Sequence, residues 1–326
     1  MKFDTLIIGG GLAGLTCGIR LQKNGVKCAI VSTGQSALHF SSGSFDLLNE
    51  LADGTKVDNP VAAADKVSAN HPYAKLGDNF AYYVREAKQQ FLDCGIEVNG
   101  DAEHNHLRIT PMGTLKPTWL TFSDFTPLSS ANDIAGKKIL VVNMAGFLDF
   151  NTKFVADSFE KYGAECRISS INLPELERLR ISPTEMRSTN IARVLENEKT
   201  LEALILELTG KISDFDIVAL PAVFGLSSAA SVKKLKESLD IPVWLIPTMP
   251  PSVPGIRAQQ QLRRSFEELG GVYMLGDTVV KADFSGNKVQ AVYSVNHGDI
   301  SFVAENFILA SGSYFSNGLV AQPDSV

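Results

Sequence analysis

Three glycines near the start of the chain have the spacing of a nucleotide-binding turn. Gly9, Gly11 and Gly14 form a G-x-G-x-x-G pattern between a short apolar run and a segment with an apolar helical face. The first glycine permits the tight turn, the second lets the backbone approach a pyrophosphate, and the third lets helix and strand pack closely. In this context the pattern predicts a nucleotide or flavin site, with a purely structural turn as the alternative. The predicted cofactor loop is Gly9, Gly10, Gly11, Leu12, Ala13 and Gly14.

The segment that should bind the ribose lacks its usual acidic residue. A carboxylate normally follows the glycines by about 20 residues and accepts the ribose hydroxyls. Here the second strand ends in Val31-Ser32-Thr33-Gly34, without Asp or Glu. Ser32 or Thr33 could make a weaker hydroxyl contact. The absence of this carboxylate makes a standard adenosine pocket less favoured and is compatible with a mononucleotide flavin.

A small-residue segment follows the second strand, at the edge of the sheet where ligands bind in doubly wound folds. Its core is Ser42-Gly43-Ser44, whose backbone N–H groups could hold a phosphate or approach a flavin ring. A polar loop without a ligand is the alternative. His39 in the same segment could act as an acid or base near neutral pH, or could be a structural histidine.

A proline-rich turn at residues 247–255 leads into a helix that we predict to begin near Ile256 and to carry Arg257. An arginine beside the free N–H groups of a helix start makes an anion site, and a solvated basic face is the alternative. His104 and His106 form an H-x-H pair, but no third ligand is evident, so we expect no metal site.

The elements that must position these residues alternate between strands and helices. Apolar strands at 4–8 and 27–31 flank the first helix, and a second strand–helix–strand unit covers 137–143, 152–162 and 165–171. Alternation continues through 216–220 and 243–246. From Gly270 onward, hairpin signals separate short strands, and the last one runs into Ser311-Gly312. The short strands are predicted at 272–275, 279–284, 288–295, 300–303 and 306–310.

Composition narrows the classes of partner. The net charge is −6, with 30 Lys and Arg against 36 Asp and Glu, and no dense basic run occurs. This balance argues against a nucleic-acid partner. The four cysteines are scattered without a C-x-x-C pair, so we expect neither zinc nor an iron–sulfur cluster. No apolar stretch is long enough to span a membrane, so any membrane contact would be peripheral or through a partner.

Both ends of the chain carry motifs of a known family. The turn Gly9–Gly14 and the late strand ending Ala310-Ser311-Gly312 are typical of two-dinucleotide-binding-domain flavoproteins. The chain resembles, over nearly its whole length, the B subunits of bacterial anaerobic glycerol-3-phosphate dehydrogenases. The segments that carry this resemblance are FDTLIIGGGLAGLTCGIRLQKNG, GQSALHFSSGSFDLL, PTMPPSVPGIRAQQQL and FILASGSYFSNGLVA.

The resemblance implies a flavoprotein subunit that oxidises sn-glycerol 3-phosphate to dihydroxyacetone phosphate and passes electrons to menaquinone, for fumarate or nitrate respiration. In this family an A subunit carries FAD, the B subunit is associated with FMN, and an iron–sulfur C subunit anchors the complex. We therefore expect FMN, with FAD as the alternative, and a peripheral position on the cytoplasmic face of the inner membrane.

The resemblance also assigns expected roles to residues. The flavin would lie along the glycine turn and over residues 39–46, with Ser311 and Gly312 completing the site. Arg257 would pair with the substrate phosphate, and His39 is the candidate base. A non-catalytic electron-transfer or scaffold subunit of the same complex is the alternative. An NAD-linked dehydrogenase is disfavoured by the missing acidic residue.

The predicted architecture is an α/β, Rossmann-like FAD/NAD(P)-binding flavoprotein fold with an inserted α/β region. We expect a flavin domain at 1–50 plus 271–326, and an inserted substrate or partner domain at 51–270. The family continues past Leu319-Val320-Ala321 with a glycine-rich motif. We therefore expect this chain to be truncated, with an incomplete flavin site and low stability.

Overall fold

The computed structural model describes residues 1–182, 184–314 and 318. Two compact units are present: a first unit of Met1–His39 with Ala258–Val326, and a second unit of Phe40–Arg257. The functional domains predicted at 1–50 with 271–326 and at 51–270 stay a prediction. Residues 315–317 and 319–321 of the C-terminal motif lie outside the described residues.

Strands and helices alternate along most of the described chain. The strands are β1 (Lys2–Ile8), β2 (Cys28–Ser32), β3 (Ser44–Phe45), β4 (Val98–Asn99), β5 (His106–Ile109), β6 (Leu115–Thr118), β7 (Leu120–Phe122), β8 (Lys138–Met144), β9 (Glu165–Ile171), β10 (Ile217–Pro221), β11 (Val243–Ile246), β12 (Val272–Leu275), β13 (Val279–Ser285), β14 (Lys288–Ser294) and β15 (Phe302–Leu309). The α-helices are α1 (Leu12–Lys23), α2 (Pro72–Leu76), α3 (Asn79–Asp93), α4 (Thr152–Lys161), α5 (Pro174–Arg180), α6 (Ser188–Leu195), α7 (Glu198–Thr209), α8 (Ala230–Ser238) and α9 (Val253–Glu268).

The sheet of the first unit has the order β12-β2-β1-β15-β14-β13. The strands β12, β2, β1 and β15 are parallel, whereas β13 and β14 form an antiparallel hairpin beside them. The carboxyl ends of the four parallel strands therefore meet at one edge, where α/β sheets bind ligands. The predicted first βαβ unit and the return of the last strand to the N-terminal sheet are confirmed.

The helix α1 packs on this sheet through an apolar face that includes Leu15 and Ile19, both fully buried. Gly18 allows a close approach, because an added Cβ would lie 2.8 Å from the Phe266 ring of α9. Gly25 follows the helix with φ +76°, the left-handed conformation that glycine adopts readily. The stop predicted at Asn24-Gly25 is confirmed, since Asn24 caps the helix.

One strand replaces the two that we predicted at 300–303 and 306–310. Strand β15 runs without interruption because β1 pairs with it from Lys2↔Val303 to Ile8↔Leu309. Ala304 and Glu305 separate the two predicted strands in the sequence, but pairing with β1 holds them in the sheet. Tertiary pairing here outweighs the local polar signal, so this part of the prediction was wrong.

The second unit contains a parallel sheet of order β11-β10-β8-β9. The predicted second strand–helix–strand unit is confirmed as β8, α4 and β9. Two small sheets accompany it, with the orders β3-β7-β4 and β5-β6.

The helix α9 begins at Val253, earlier than the start predicted near Ile256. The Ser252 hydroxyl accepts the N–H of Gly255 at 3.2 Å, and the Ser252 carbonyl accepts the N–H of Ile256 at 2.9 Å. Ser252 is thus an N-cap, and a proline in the first turn is tolerated because its missing N–H would have no partner there. Among the described residues, no helix is both long and apolar enough to cross a bilayer.

Candidate functional site

The glycine turn and the Ala-Ser-Gly segment meet at the carboxyl edge of the first unit's sheet. Gly9 has φ +114°, and an added Cβ there would lie only 2.2 Å from the Ala310 carbonyl oxygen. The Ala310 N–H donates to the Ile8 carbonyl at 2.7 Å. The predicted cofactor residues Gly9 and Ser311 therefore adjoin each other, although they come from opposite ends of the sequence. Gly312, with φ +101°, is exposed beside them.

The start of α1 provides backbone donors at the same edge. Gly11 is its N-cap, no side chain caps the helix, and its first turn contains no acidic residue. The first hydrogen bond of the helix runs from Leu15 N to Gly11 O, so the N–H groups of residues 12–14 have no acceptor within the helix. Gly14 is required for packing, because an added Cβ would lie 1.9 Å from the Gly9 oxygen. Such an end favours an anionic group.

Two side chains that the sequence did not single out hold the turn in place. The Tyr273 hydroxyl donates to the Gly10 carbonyl at 3.1 Å, and Gln259 Nε2 lies 3.5 Å from the same oxygen. Gln259 Oε1 also accepts the Ser36 hydroxyl at 2.7 Å. Nothing in the local sequence marks Gln259 or Tyr273, because each acts through a contact distant along the chain.

Ser32 lies beneath the turn rather than free for a ligand. It is 4% exposed, and its hydroxyl donates to the Gly34 carbonyl at 3.1 Å. A Cβ on Gly10 would lie 2.6 Å from the Ser32 Cβ. Ser32 thus supports Gly10, and its predicted contact with a cofactor stays a prediction.

An acidic side chain does reach this edge, from the end of β12. The buried Asp277 follows β12, and its backbone N–H donates to the Ser32 carbonyl at 3.1 Å. Its carboxylate accepts the N–H groups of Thr278 at 2.9 Å and Asn296 at 3.0 Å, and lies 2.9 Å from His297 Nδ1. Burial raises the pKa of Asp277, but hydrogen bonds from these groups and from Ser294 together lower it below the ordinary value. These contacts make Asp277 a link between β12 and the turn after β14.

His39 is half-buried in a 3₁₀ turn, Ala37–Phe40, that follows β2. Burial lowers the pKa of His39, and a hydrogen bond with Gln259 opposes that effect only partly. The imidazole is therefore mainly neutral at pH 7, the form that can accept a proton. Its role as a base stays a prediction.

Ser42, Gly43 and Ser44 belong to the second unit, where Ser44 begins β3 and the other two directly precede it. Gly43 has φ +82°, and an added Cβ would lie 2.0 Å from the Phe125 ring. Its carbonyl accepts the Phe122 N–H at 2.9 Å, and Ser44 pairs with Thr121 in the sheet. Glycine at position 43 is thus explained by packing, and a cofactor contact of this segment stays a prediction.

Arg257 is buried, and its charge is already balanced. Its Nη2 donates to both carboxylate oxygens of Asp124, at 2.7 and 2.5 Å, and its Nη1 donates to the Gly225 carbonyl. Nearby, Lys236 Nζ donates to the Asp124 carbonyl at 2.7 Å. The carboxylate of Asp124, in the same unit, therefore neutralises the guanidinium. Binding of a substrate phosphate by Arg257 stays a prediction.

The two histidines of the H-x-H pair have different surroundings. His104 is exposed, whereas His106 lies in β5 with Nε2 3.1 Å from the Thr121 hydroxyl. Within the described ranges no group of three or more His, Cys, Asp or Glu is arranged to hold a metal.

A cavity of about 500 Å³ lies in the second unit, and its lining includes Asn143, Thr152 and Ser169 but no titratable side chain.

Comparison with known proteins identifies the class first. Residues 4–326 match the FAD binding domain family, so the chain belongs to that family of flavin-binding proteins. The predicted α/β, Rossmann-like flavoprotein fold is confirmed by this match together with the parallel sheets. The match supports a flavin cofactor. It favours FAD, the predicted alternative, over FMN.

Curated relatives identify the particular family. The chain is 44% identical to the B subunit of the anaerobic glycerol-3-phosphate dehydrogenase of Yersinia enterocolitica serotype O:8 / biotype 1B, over 98% of this chain and 77% of that protein. The B subunit of the same enzyme from Actinobacillus pleuropneumoniae serotype 5b is 39% identical, over 100% of this chain and 78% of the relative. The chain therefore belongs to the family of anaerobic glycerol-3-phosphate dehydrogenase B subunits, as the resemblance predicted.

Solved structures give more distant similarities. Glycine oxidase from Bacillus cereus matches with a TM-score of 0.37 and 15% identity, over 98% of this chain and 58% of that one. A 3-ketosteroid delta1-dehydrogenase from Sterolibacterium denitrificans matches with a TM-score of 0.39 and 13% identity, over 95% and 48%. These similarities are too weak to carry an inference about ligand or chemistry.

Proposed function

We propose that this chain is the flavin-binding subunit of an anaerobic glycerol-3-phosphate dehydrogenase, which oxidises sn-glycerol 3-phosphate to dihydroxyacetone phosphate. The observation that carries the proposal is the cradle at the carboxyl edge of the first unit's sheet. There Gly9 lies against Ala310, and the uncapped start of α1 presents backbone N–H groups. Family membership supports the substrate.

The cradle fits the phosphate portion of a flavin nucleotide, because the N–H groups of residues 12–14 have no acceptor within α1 and its first turn carries no acidic residue. The bound flavin would supply a two-electron acceptor. We propose FAD rather than FMN, in agreement with the family match. Residues 12–14 would hold the pyrophosphate, and Ser311 and Gly312 would border the cofactor.

The protein's own part in the reaction is to orient the substrate and to accept its hydroxyl proton. We propose His39 for the proton, because its lowered pKa leaves it mainly neutral at pH 7. Gln259 is bonded to both His39 and Ser36, so it would fix the position of the imidazole. Arg257 remains the sequence-predicted phosphate ligand, but its charge is taken up by Asp124.

We further propose that the chain works within a complex, since its curated relatives are named as subunits. A catalytic FAD-containing A subunit and an iron–sulfur C subunit would be its partners, with electrons passed to menaquinone at the cytoplasmic face of the inner membrane. Contact with the membrane would come through the C subunit.

The alternative is an electron-transfer or scaffold subunit without its own catalysis. The pairing of Arg257 with Asp124 favours it, because the sequence-predicted phosphate ligand already has a partner. Dye-linked oxidation of glycerol 3-phosphate by the A subunit alone, compared with A plus this chain, separates the two functions. Full activity of A alone would support the alternative.

Gly11 provides the direct test of the cofactor cradle. A Cβ at Gly11 would meet only Ser36, at 3.4 Å, so Gly11→Val should fold while its side chain blocks the approach of the cofactor. We expect that variant to lose flavin, measured by visible spectrum and by chromatography after heat release. At Gly210, in the second unit, a Cβ would make only ordinary contacts, at 3.7 and 3.9 Å, so Gly210→Val is the matched control and should retain flavin. Normal flavin content in Gly11→Val would contradict the assignment.

A further inference from the structure

Arg108 is a buried cation of the second unit that has no bonded partner among the described residues. It lies in β5 with 9% of its surface exposed, and its Nε and Nη1 are buried without a hydrogen-bond acceptor in that part of the chain. Burial lowers the pKa of its guanidinium, and the charge of Asp46 opposes that effect. Burying a guanidinium is costly unless hydrogen-bond acceptors or an anion compensate for its lost hydration. An anionic ligand at the Arg108 guanidinium would offset this cost.

The hairpin of β5 and β6 places further polar groups on the same face as Arg108. The register pairs Arg108 with Lys116 and His106 with Thr118, and directly paired residues in an antiparallel ladder share a face. His106 contributes a buried Nδ1 that has no partner in the described part of the chain. Burial lowers the pKa of His106, so its ring adds no positive charge at neutral pH.

A carboxylate beside this face, that of Asp46, is already hydrogen-bonded to two of its residues. Asp46 accepts the Lys116 ammonium at 2.6 Å and the Thr118 hydroxyl at 2.8 Å. Arg108 is close enough to feel its charge but makes no hydrogen bond with it. Both Lys116 and Arg108 interact electrostatically with Asp46. Only Lys116 forms a hydrogen bond with it, although Arg108 is the more deeply buried of the two cations.

We propose that Arg108, together with Lys116, binds a phosphate monoester. A guanidinium offers a planar set of N–H donors that matches phosphate oxygens, and Lys116 can turn its ammonium from Asp46 to the same ligand. The identity of that phosphate rests on the proposed function, which makes it the phosphate of glycerol 3-phosphate.

Direct binding measurements test the site apart from catalysis. Inorganic phosphate and sn-glycerol 3-phosphate are titrated calorimetrically into the full-length chain, with glycerol as the ligand that lacks the charge. Arg108→Met should weaken binding of both phosphates at least about tenfold, whereas Arg108→Lys should retain part of it. The matched control is Arg193→Met, an exposed arginine of α6 in the same unit, which should bind as the wild type does. Unchanged affinity in Arg108→Met, or no phosphate binding by the wild type, would overturn the proposal.

Thermal unfolding without a ligand supplies an independent readout. Because Arg108 lacks a partner among the described residues, Arg108→Met should keep or raise the unfolding midpoint, and phosphate should raise the midpoint of the wild type only. A lower midpoint for the ligand-free variant would mean that the arginine is a structural residue, which overturns the proposal.

The same variants separate the two proposals. If phosphate binding depends on Arg108 but the reconstituted complex does not oxidise glycerol 3-phosphate, the proposed function fails and the phosphate site stands. FMN and riboflavin identify the source of the phosphate. Binding of FMN but not riboflavin, lost in Arg108→Met, would support the site and assign its phosphate to a cofactor.

Discussion

At the scale of single residues, the pair of Arg257 and Asp124 shows what a buried charge needs. Both side chains are almost fully buried, with 6% and 4% exposed, and they meet through two short hydrogen bonds. Removing one member of such a pair leaves the other charge uncompensated. The pair is thus expected to matter for stability whether or not Arg257 also meets a substrate.

We expect Asp124→Ala to lower the free energy of unfolding by about 3–5 kcal/mol, because the Arg257 charge would remain buried and unpaired. The double variant Asp124→Ala with Arg257→Met should recover part of that loss, since it removes both charges. Urea unfolding of the single and double variants measures the difference. Equal stability of the single variant and the wild type would show that the pair is unimportant.

The sequence could not reveal the partner of Arg257. An arginine at a helix start suggested an anion site, and in the structure this arginine pairs with Asp124, which is 133 positions away in the sequence. Arg108 was missed for the related reason that a strand arginine has no local signature. Only the packing of the hairpin shows that it is buried without a bond in the described part of the chain. Gly9, Gly11 and Gly14 were predictable because their requirements come from the local turn.

At the scale of elements, strands were predictable where the apolar run is short and bounded, as in β1, β2 and β8. The division of β15 into two strands failed because Ala304 and Glu305 are held by pairing with β1. The early start of α9 was missed because Pro254 suggested a break, whereas Ser252 caps the helix. The link between β12 and the turn after β14 depends on Asp277, which no local pattern marks.

That link predicts a pH dependence of stability. Hydrogen bonds lower the pKa of Asp277 in the folded chain despite its burial, so the unfolded chain binds the proton more readily. The stabilisation is therefore present above the unfolded pKa, near 3.8, and is lost as the pH falls through the lower folded value.

Urea unfolding between pH 3 and 6 tests whether the Asp277 carboxylate stabilises the link between β12 and the turn after β14. We expect the wild type to lose stability on acidification more steeply than Asp277→Asn does, because the variant has no proton to take up. Asp240→Asn, at an exposed position after α8, controls for the change in net charge. Parallel pH profiles of Asp277→Asn and the wild type would contradict the role of this carboxylate.

At the scale of the whole molecule, both units contain cysteine thiols whose pKa is raised, which makes them slow to react with electrophiles. Burial raises the pKa of Cys28 to about 11, with smaller effects of Cys17 and Asp4, and raises that of Cys166 to about 12. All four cysteines are free thiols. Because the thiolate is the reactive form, folded Cys28 and Cys166 should react slowly at neutral pH.

Iodoacetamide labelling at pH 8, followed by peptide mass spectrometry, measures this protection in both units at once. We expect Cys28 and Cys166 to react at least about 100-fold more slowly in the native chain than in urea. Labelling of Cys28 at the same rate in both conditions would mean that β2 is not packed as described.

The closeness of Gly9 to Ala310 also determines when the cofactor cradle can form during synthesis. The turn leaves the ribosome among the first residues, but β12 and β15, which flank β2 and β1, are made only after the entire second unit. At ~5–20 residues per second, about 300 residues take ~15–60 s. During that interval the outer edges of β1 and β2 lack their partner strands, so the proposed cofactor cradle cannot be complete before β15 has been made.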